Sequence, residues 1–324
     1  MVTIKEVAEE AGVSVATVSR VINQNGYVSE ETLKKVKGVI EKLNYKPNSI
    51  ARSLYHKTSN MIGLIVPDIT NPFFPELARA VEDVAMMYGF RVVLCNSDQE
   101  PEKEMKYIDL FKEKYVDGII IATQSHESQF YSDLNIPIVA LDRVGDTSIP
   151  SVVSNNYNGA KKLTELLLQK GVKNIAHIRG PKNISSSEAR YQGFVDAVEG
   201  KSVNYTISEA DFQLKDAERK AEQFFETHTG VDGIFCSNDT IAAGFLKVAL
   251  KKGIKVPEEL QIAGFDGSFF GEFIYPELTT VSQPIYDMGA VAARLLIKII
   301  QGNKPEKLLY EMPTTIMERG TTRS

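Results

Sequence analysis

TIKEVAEEAGVSVATVSRVIN, residues 3–23, decides how the chain is read. Thr3 and Glu6 stand three apart, the spacing at which each side chain satisfies the other's backbone N–H, so a helix is expected from Ile4. Val7, Ala8 and Ala11 mark its apolar face and Gly12 ends it. Ser14 is placed to cap a second helix running from about Val15 to Asn23. There Val18, Val21 and Ile22 point inward, leaving Val15, Ala16, Thr17, Ser19 and Arg20 outward. A third helix follows Ser29, with Glu30 and Glu31 in its first turn and Leu33, Val36, Ile40 and Leu43 at helical spacing. Helix, short glycine-bearing turn, helix is the pattern whose second helix fits a major groove. A plain three-helix bundle has the same spacing, and the outward face argues against it. Val15 and Ala16 are small enough to reach a thymine methyl, Arg20 can fork onto guanine O6 and N7, and Thr17 and Ser19 suit phosphates.

The charge distribution agrees. Residues 1–60 hold nine Lys+Arg against six Asp+Glu, a net +3, while the remaining 28 against 36 give −8. A basic head on an acidic body points to nucleic-acid contact by the head. The 324 residues, 43% apolar and 24% charged, have the composition of a soluble globular protein of two or three domains. No run approaches the roughly 18 to 20 apolar residues of a membrane span. MVTIKEVAEE lacks the basic-then-apolar pattern of a signal peptide, so a cytoplasmic protein is expected. Cys95 and Cys236 lie in apolar runs and read as buried free thiols.

Between head and body lies KPNSIARSLYHKTSNMIG, residues 46–63. Pro47 and Asn48 supply a breaker and a cap, and Ser49 to Tyr55 suit two helical turns. So short a helix returns too few bonds to offset its nucleation, so it is expected only when something holds it.

From Met61 onward strand and helix patterns alternate. Strands are expected at 61–69, 91–97, 116–123 and 137–143, then at 174–180, 232–238, 261–267 and 278–284. Helices are expected near 74–88, 101–114, 158–170, 187–199, 215–227, 239–252 and 286–301. The predicted architecture is an all-α helix-turn-helix headpiece plus an α/β core of two doubly wound parallel-sheet lobes. The tail crosses back as strands, and several inter-lobe connections suit a hinged clamshell.

Ligands of open α/β sheets bind beyond the carboxyl ends of strands. There stand Asn71, Phe73 and Phe74; Asp142 and Arg143; Arg190; Phe212; Asn238; Asp266; and Gln283. Each alone reads as a cap or loop residue. Together, two carboxylates, two guanidiniums and three amides converge with three flat rings in a near-neutral site, which suits a neutral polyol better than a phosphorylated ligand.

The headpiece stretch resembles, almost residue by residue, the lactose/galactose repressor family of bacterial transcriptional regulators, and PNSIARSL resembles that family's hinge. The resemblance covers the whole chain. It implies DNA contacts from Thr3, Ser14, Val15, Ala16, Thr17, Ser19, Arg20 and Asn23. It also implies two hinge helices paired in the minor groove, with Leu54 as the wedge, Ala51 on the same side, Arg52 on a phosphate and Tyr55 where one branch carries lysine. It divides the chain into a headpiece (1–46), a hinge (47–60) and a core (61–324). Lobe one is about 61–156 and 286–313, and lobe two about 157–285 and 314–324. The body resembles the periplasmic sugar-binding fold, and the ten strand-end residues resemble its ribose-binding branch. A homodimer that leaves a palindromic operator on binding ribose is the implied function, with no cofactor and no metal.

Three rivals were weighed. Nucleotide-binding and hydrolase motifs are absent, and His56, His126, His177 and His228 lack metal-ligand spacing, so no enzyme is expected. The Arg neighbours of Asp142 and Asp266 favour ion pairing over the raised pKa of a glycosidase acid. The headpiece excludes a transport protein. YDMGAVAARLL, with Arg294, resembles the catabolite-control branch, whose corepressor is a serine-phosphorylated phosphocarrier protein.

Overall fold

The computed structural model describes residues 2–23, 25–45, 58–123, 130–131, 133–143 and 149–324. Ala51, Arg52, Leu54 and Tyr55 of the expected hinge, with His56 and His126, lie outside them. Two compact units result, Met1–Ser59 and Asn60–Ser324.

The first unit holds three helices, α1 (Ile4–Glu10), α2 (Val15–Asn23) and α3 (Glu30–Lys42). The capping box forms: Glu6 N donates to Thr3 Oγ1 at 3.3 Å, and Thr3 N to Glu6 Oε2 at 2.6 Å. Gly12 takes φ +60°, the left-handed conformation that ends a helix with little strain when no Cβ is present. Val7, Ala8, Ala11, Val18, Val21 and Val36 close a small core.

The second unit is built from two six-stranded sheets. Lobe one carries β1 (Met61–Val66), α4 (Phe73–Met87), β2 (Arg91–Asn96), α5 (Pro101–Glu113), β3 (Gly118–Ile121), β4 (Ile138–Leu141) and β5 (Ser151–Ser154). Lobe two carries α6 (Asn156–Gln169), β6 (Asn174–Arg179), α7 (Ser185–Val198), β7 (Asn204–Glu209) and α8 (Leu214–Thr227). It continues through β8 (Gly233–Cys236), α9 (Asp239–Lys251), β9 (Gln261–Asp266), a 3-10 turn (Phe269–Glu272) and β10 (Thr279–Ser282). Then α10 (Ile285–Ile300) and β11 (Leu309–Met312) return to lobe one, and β12 (Thr315–Met317) ends in lobe two. The strand orders are β11-β5-β4-β3-β1-β2 and β12-β10-β9-β8-β6-β7. Among the described residues every pairing is parallel except β10 with β12.

The doubly wound expectation therefore holds, and the helices fall within two residues of their expected starts. Each sheet buries apolar clusters on both faces, which is why strands such as GIII in β3 read as unbroken apolar runs. On lobe one, α10 presses on α4 so closely that a Cβ on Gly289 would sit 2.6 Å from the Leu77 carbonyl oxygen. Cys95 and Cys236 are free and buried. Two strands were not anticipated. β5 is only SVVS, and the edge strand β7, NYTISE, leaves most of its side chains exposed, so neither carries an apolar run.

Candidate functional site

On the head, the outward face of α2 is as expected: Val15, Ala16, Arg20 and Asn23 are exposed, and Thr17 and Ser19 half-buried. Ser14 Oγ accepts from Thr17 N at 3.1 Å, starting the helix, and Asn23 Nδ2 donates to Ser19 Oγ at 3.2 Å. Thr3 and Ser14 are exposed but have structural duties as caps, so a contact from either would use a hydroxyl already engaged.

In the body, a cleft of about 350 Å³ lies beyond the carboxyl ends of both sheets. Nine of the ten expected residues line it: Asn71, Phe73, Phe74, Asp142, Arg143, Arg190, Phe212, Asn238 and Asp266. Asn71 Oδ1 accepts from Phe73 N at 3.1 Å and sets the start of α4, where the rings of Phe73 and Phe74 meet edge to face at 5.1 Å. The Phe212 ring sits where a Cβ on Gly180, just past β6, would be 2.4 Å from its Cζ. Glycine there allows the ring its place. Asn238 caps α9 through its oxygen, which accepts from Ile241 N at 2.8 Å, and its Nδ2 is left over.

The charged groups are held from behind. Arg190 Nε donates to Asn156 Oδ1 at 2.8 Å, and Nη1 to Ser237 O at 2.6 Å and Asp266 Oδ1 at 3.2 Å. Its guanidinium carbon lies 3.9 Å from the centre of the Phe265 ring, a cation–π contact. Arg143 Nε donates to Ala122 O at 3.3 Å. Asp142 and Asp266 both adopt positive φ; +56° is the left-handed well that Asp tolerates, whereas +119° at Asp266 lies outside it and is strained. Asp142 Oδ1 is buried and has no hydrogen-bond partner among the described residues. A buried polar atom left unpaired costs stability unless a ligand or water satisfies it.

Three expectations need correction. Gln283 does not line the cleft: its Nε2 donates to Asp266 Oδ1 at 2.7 Å and its Oε1 accepts from Ser154 Oγ, so both ends of the amide are spent. The expected charge balance is incomplete: Asp68, Asp98 and Asp211 also line the cleft, Asp98 in an ion pair with Lys103. Ion pairing does not keep Asp142 and Asp266 low. Burial raises Asp142 against the pull of Arg190 and Arg143. Burial also raises Asp266 well above the carboxylate range, with the neighbouring charges of Asp239 and Asp142 adding to the effect.

Asp239 was missed altogether. Following Asn238, it reads as an ordinary first-turn acid, yet it is buried behind the cleft. It accepts from Ser268 N and Oγ at 2.7 and 2.8 Å and from Thr280 Oγ1 at 2.6 Å. Desolvation lifts it to about 6 despite those bonds.

A helix-turn-helix head joined to a two-lobed α/β body, with a polar cleft between the lobes, defines a ligand-responsive transcriptional regulator. The chain belongs to the lacI family of bacterial regulatory proteins, whose description matches residues 3–48. The description "periplasmic binding proteins and sugar binding domain of LacI family" matches residues 59–317. It is 54% identical over 323 residues to the ribose operon repressor of Halalkalibacterium halodurans, covering 100% of this chain and 98% of that protein. It is 38% identical to catabolite control protein A of Staphylococcus aureus strain MRSA252, covering 99% of each. Among solved structures, the Lac repressor dimer bound to operator and the anti-inducer ONPF superposes with a TM-score of 0.89 at 26% identity. That match covers 100% of this chain and 99% of that one.

Proposed function

We propose that this protein represses a ribose-utilisation operon in the cytoplasm, binding a palindromic operator as a homodimer and releasing it when ribose closes the cleft. The observation that carries the ligand is Asp142 Oδ1, without a partner among the described residues and buried in a cleft walled by Phe73, Phe74 and Phe212. A carboxylate that accepts from hydroxyls, beside rings that pack on C–H faces, is what a neutral sugar requires. The added Asp68, Asp98 and Asp211 disfavour phosphorylated sugars by like-charge repulsion. The 54% identity to a protein named for the ribose operon supports the same choice.

In this reading residues 1–46 recognise the half-site, 47–60 form the hinge and 61–324 bind sugar and partner. Val15, Ala16, Thr17, Ser19, Arg20 and Asn23 face the major groove, with Thr3 and Ser14 at phosphates. Ala51, Arg52, Leu54 and Tyr55 are assigned to the minor groove on residue identity alone. Dimerisation is supported by large apolar side chains left in water on both lobes: Met86 and Met87 at the end of α4, and Phe273 and Tyr275 after the 3-10 turn. Ribose must bind the DNA-free form better, and a coupling of about 1–3 kcal/mol gives about 5–150-fold weaker operator binding.

The test is fluorescence anisotropy of a labelled operator fragment, titrated with protein alone and with ribose, other pentoses and hexoses. Release specific to ribose is expected, lost in Arg190→Ala and Asp266→Ala. Indifference to ribose, with tighter binding when a serine-phosphorylated phosphocarrier protein is added, would instead establish the catabolite-control mode. The 38% identity to that branch does not favour it.

A further inference from the structure

Arg190 and Asp266 belong to lobe two, yet their orientation is set from the crossover that enters it. Five buried side chains form a closed circuit. Ser154 Oγ, on the last residue of β5, donates to Gln283 Oε1. Gln283 Nε2 donates to Asp266 Oδ1 at 2.7 Å, and Arg190 Nη1 to the same oxygen at 3.2 Å. Arg190 Nε donates to Asn156 Oδ1 at 2.8 Å, and Asn156 Nδ2 returns to the Ser154 carbonyl at 3.1 Å. Ser154 and Asn156 flank the chain's first passage from lobe one to lobe two, and Gln283 lies on the second. Neither Ser154 nor Asn156 lines the cleft.

The circuit consumes one face of each charged group. Among the described residues, no hydrogen bond reaches Asp266 Oδ2 or leaves Arg190 Nη2, and both side chains line the cleft. A guanidinium fixed at Nε and Nη1 can present Nη2 in only one direction, because its donors form a rigid planar fork. A carboxylate fixed by two donors on Oδ1 presents Oδ2 likewise.

We propose that Ser154 and Asn156 are positioning residues for the effector site, aiming Arg190 Nη2 and Asp266 Oδ2 at the same ligand hydroxyls from the crossover between the lobes. The inference rests on the cleft being the sugar site, and extends it to residues that touch no ligand. The crossover and the grip are then one mechanical unit, so a shift of the crossover re-aims the grip.

Calorimetry of the full-length wild type, Ser154→Ala and Asn156→Ala tests this, with D-ribose and riboses each lacking one hydroxyl. Asn156→Ala is expected to weaken ribose about tenfold or more, the scale of one hydrogen bond to a charged group, and Ser154→Ala, which removes a neutral bond to Gln283, about two- to tenfold. Operator affinity without sugar should hold. The deoxy sugar that lacks the hydroxyl held by Arg190 and Asp266 should lose little further in the variants, since coupled losses do not add. Unchanged ribose affinity, or an equal loss for every sugar, would overturn the proposal, the latter marking a merely loosened lobe. A ligand-free readout separates this from the choice of sugar. With 15N-labelled arginine, the Arg190 Nε–H should exchange slowly in the wild type and fast in Asn156→Ala. If the wild type gives no heat with ribose, the sugar assignment fails, while the exchange comparison still decides whether Asn156 fixes Arg190; equal exchange in the two proteins refutes that.

Discussion

Between pH 7 and 5, acidification should destabilise lobe two through His177. It is fully buried on β6, its ring packed against those of Phe235 and Phe194 at centroid distances of 4.6 and 4.9 Å. Nδ1 lies 3.0 Å from the Phe235 carbonyl oxygen and therefore carries the proton, while Nε2 meets no partner among the described residues. Charging the ring would put an N–H on Nε2 with no acceptor and a cation in an apolar core. Burial accordingly lowers the pKa from 6.5 to about 3, with the charges of Arg179 and Arg190 adding to the effect. The unfolded chain takes up its proton through 6.5 and the native chain only near 3, so stability is intact above 6.5 and lost as pH falls between those values. At pH 5 the loss is about 2 kcal/mol, from roughly 1.4 kcal/mol per pH unit below the unfolded value. The raised carboxylates Asp239 and Asp266 act in the opposite sense, so wild type must be compared with His177→Gln, which cannot charge yet keeps an N–H for the carbonyl. Urea unfolding at pH 8, 7, 6 and 5 should show the difference between the two proteins moving by about 2 kcal/mol against the wild type. A difference that stays constant with pH would mean the native ring accepts a proton, and the buried, unpartnered Nε2 would be wrong.

Further outcomes can be checked on DNA and on the cleft. Arg20→Ala should relax preference at one base pair by about 1–3 kcal/mol in a competition titration, whereas a uniform loss across sequences would make Arg20 a phosphate contact. Leu54→Ala should weaken operator binding and reduce bending in a gel-phasing assay; full affinity on unbent DNA would refute the wedge. Gly180→Ala should drive Phe212 off its seat, because the new methyl would lie within 2.4–2.5 Å of the ring. Ribose affinity is then expected to fall about tenfold, with overpacking costing about 1–3 kcal/mol of stability. Unaltered binding would remove Phe212 from the sugar's wall.

The head was legible almost to the residue because its signals are local. A capping box, a glycine and two apolar stripes each act within four residues. The lobes were legible as alternation, and strand ends revealed where the cleft lies, because parallel topology places ligands there whatever the side chains. Orientation was not legible. Gln283 stands at a strand end like Asn238, but nothing in TVSQP shows that its amide turns back to Asp266 and Ser154 rather than outward. Asp239 was hidden because a first-turn acid is commonplace, and only tertiary packing reveals that this one is desolvated. Asp68 and Asp98 follow β1 and β2 and could have been included by the rule that picked Asp142.

The shared strand order of the two sheets explains why the crossovers between the lobes and the cleft adjoin. In each sheet the parallel strands all deliver their carboxyl ends to the cleft: Asp142 follows β4, Asn238 follows β8, and Asp266 ends β9. The chain leaves lobe one from the carboxyl end of β5, leaves lobe two from that of β10, and leaves lobe one again from that of β11. All three passages therefore open at the cleft, and none requires a separate connecting arm. The same geometry accounts for the one antiparallel pairing. β12 enters lobe two from the cleft side, so it must run away from the cleft, against β10, which runs toward it. Residues at the passages, Ser154 and Asn156 among them, are then forced into the neighbourhood of the ligand-facing groups. Any ligand that draws the two sets of strand ends together acts on the segments that set the angle between the lobes.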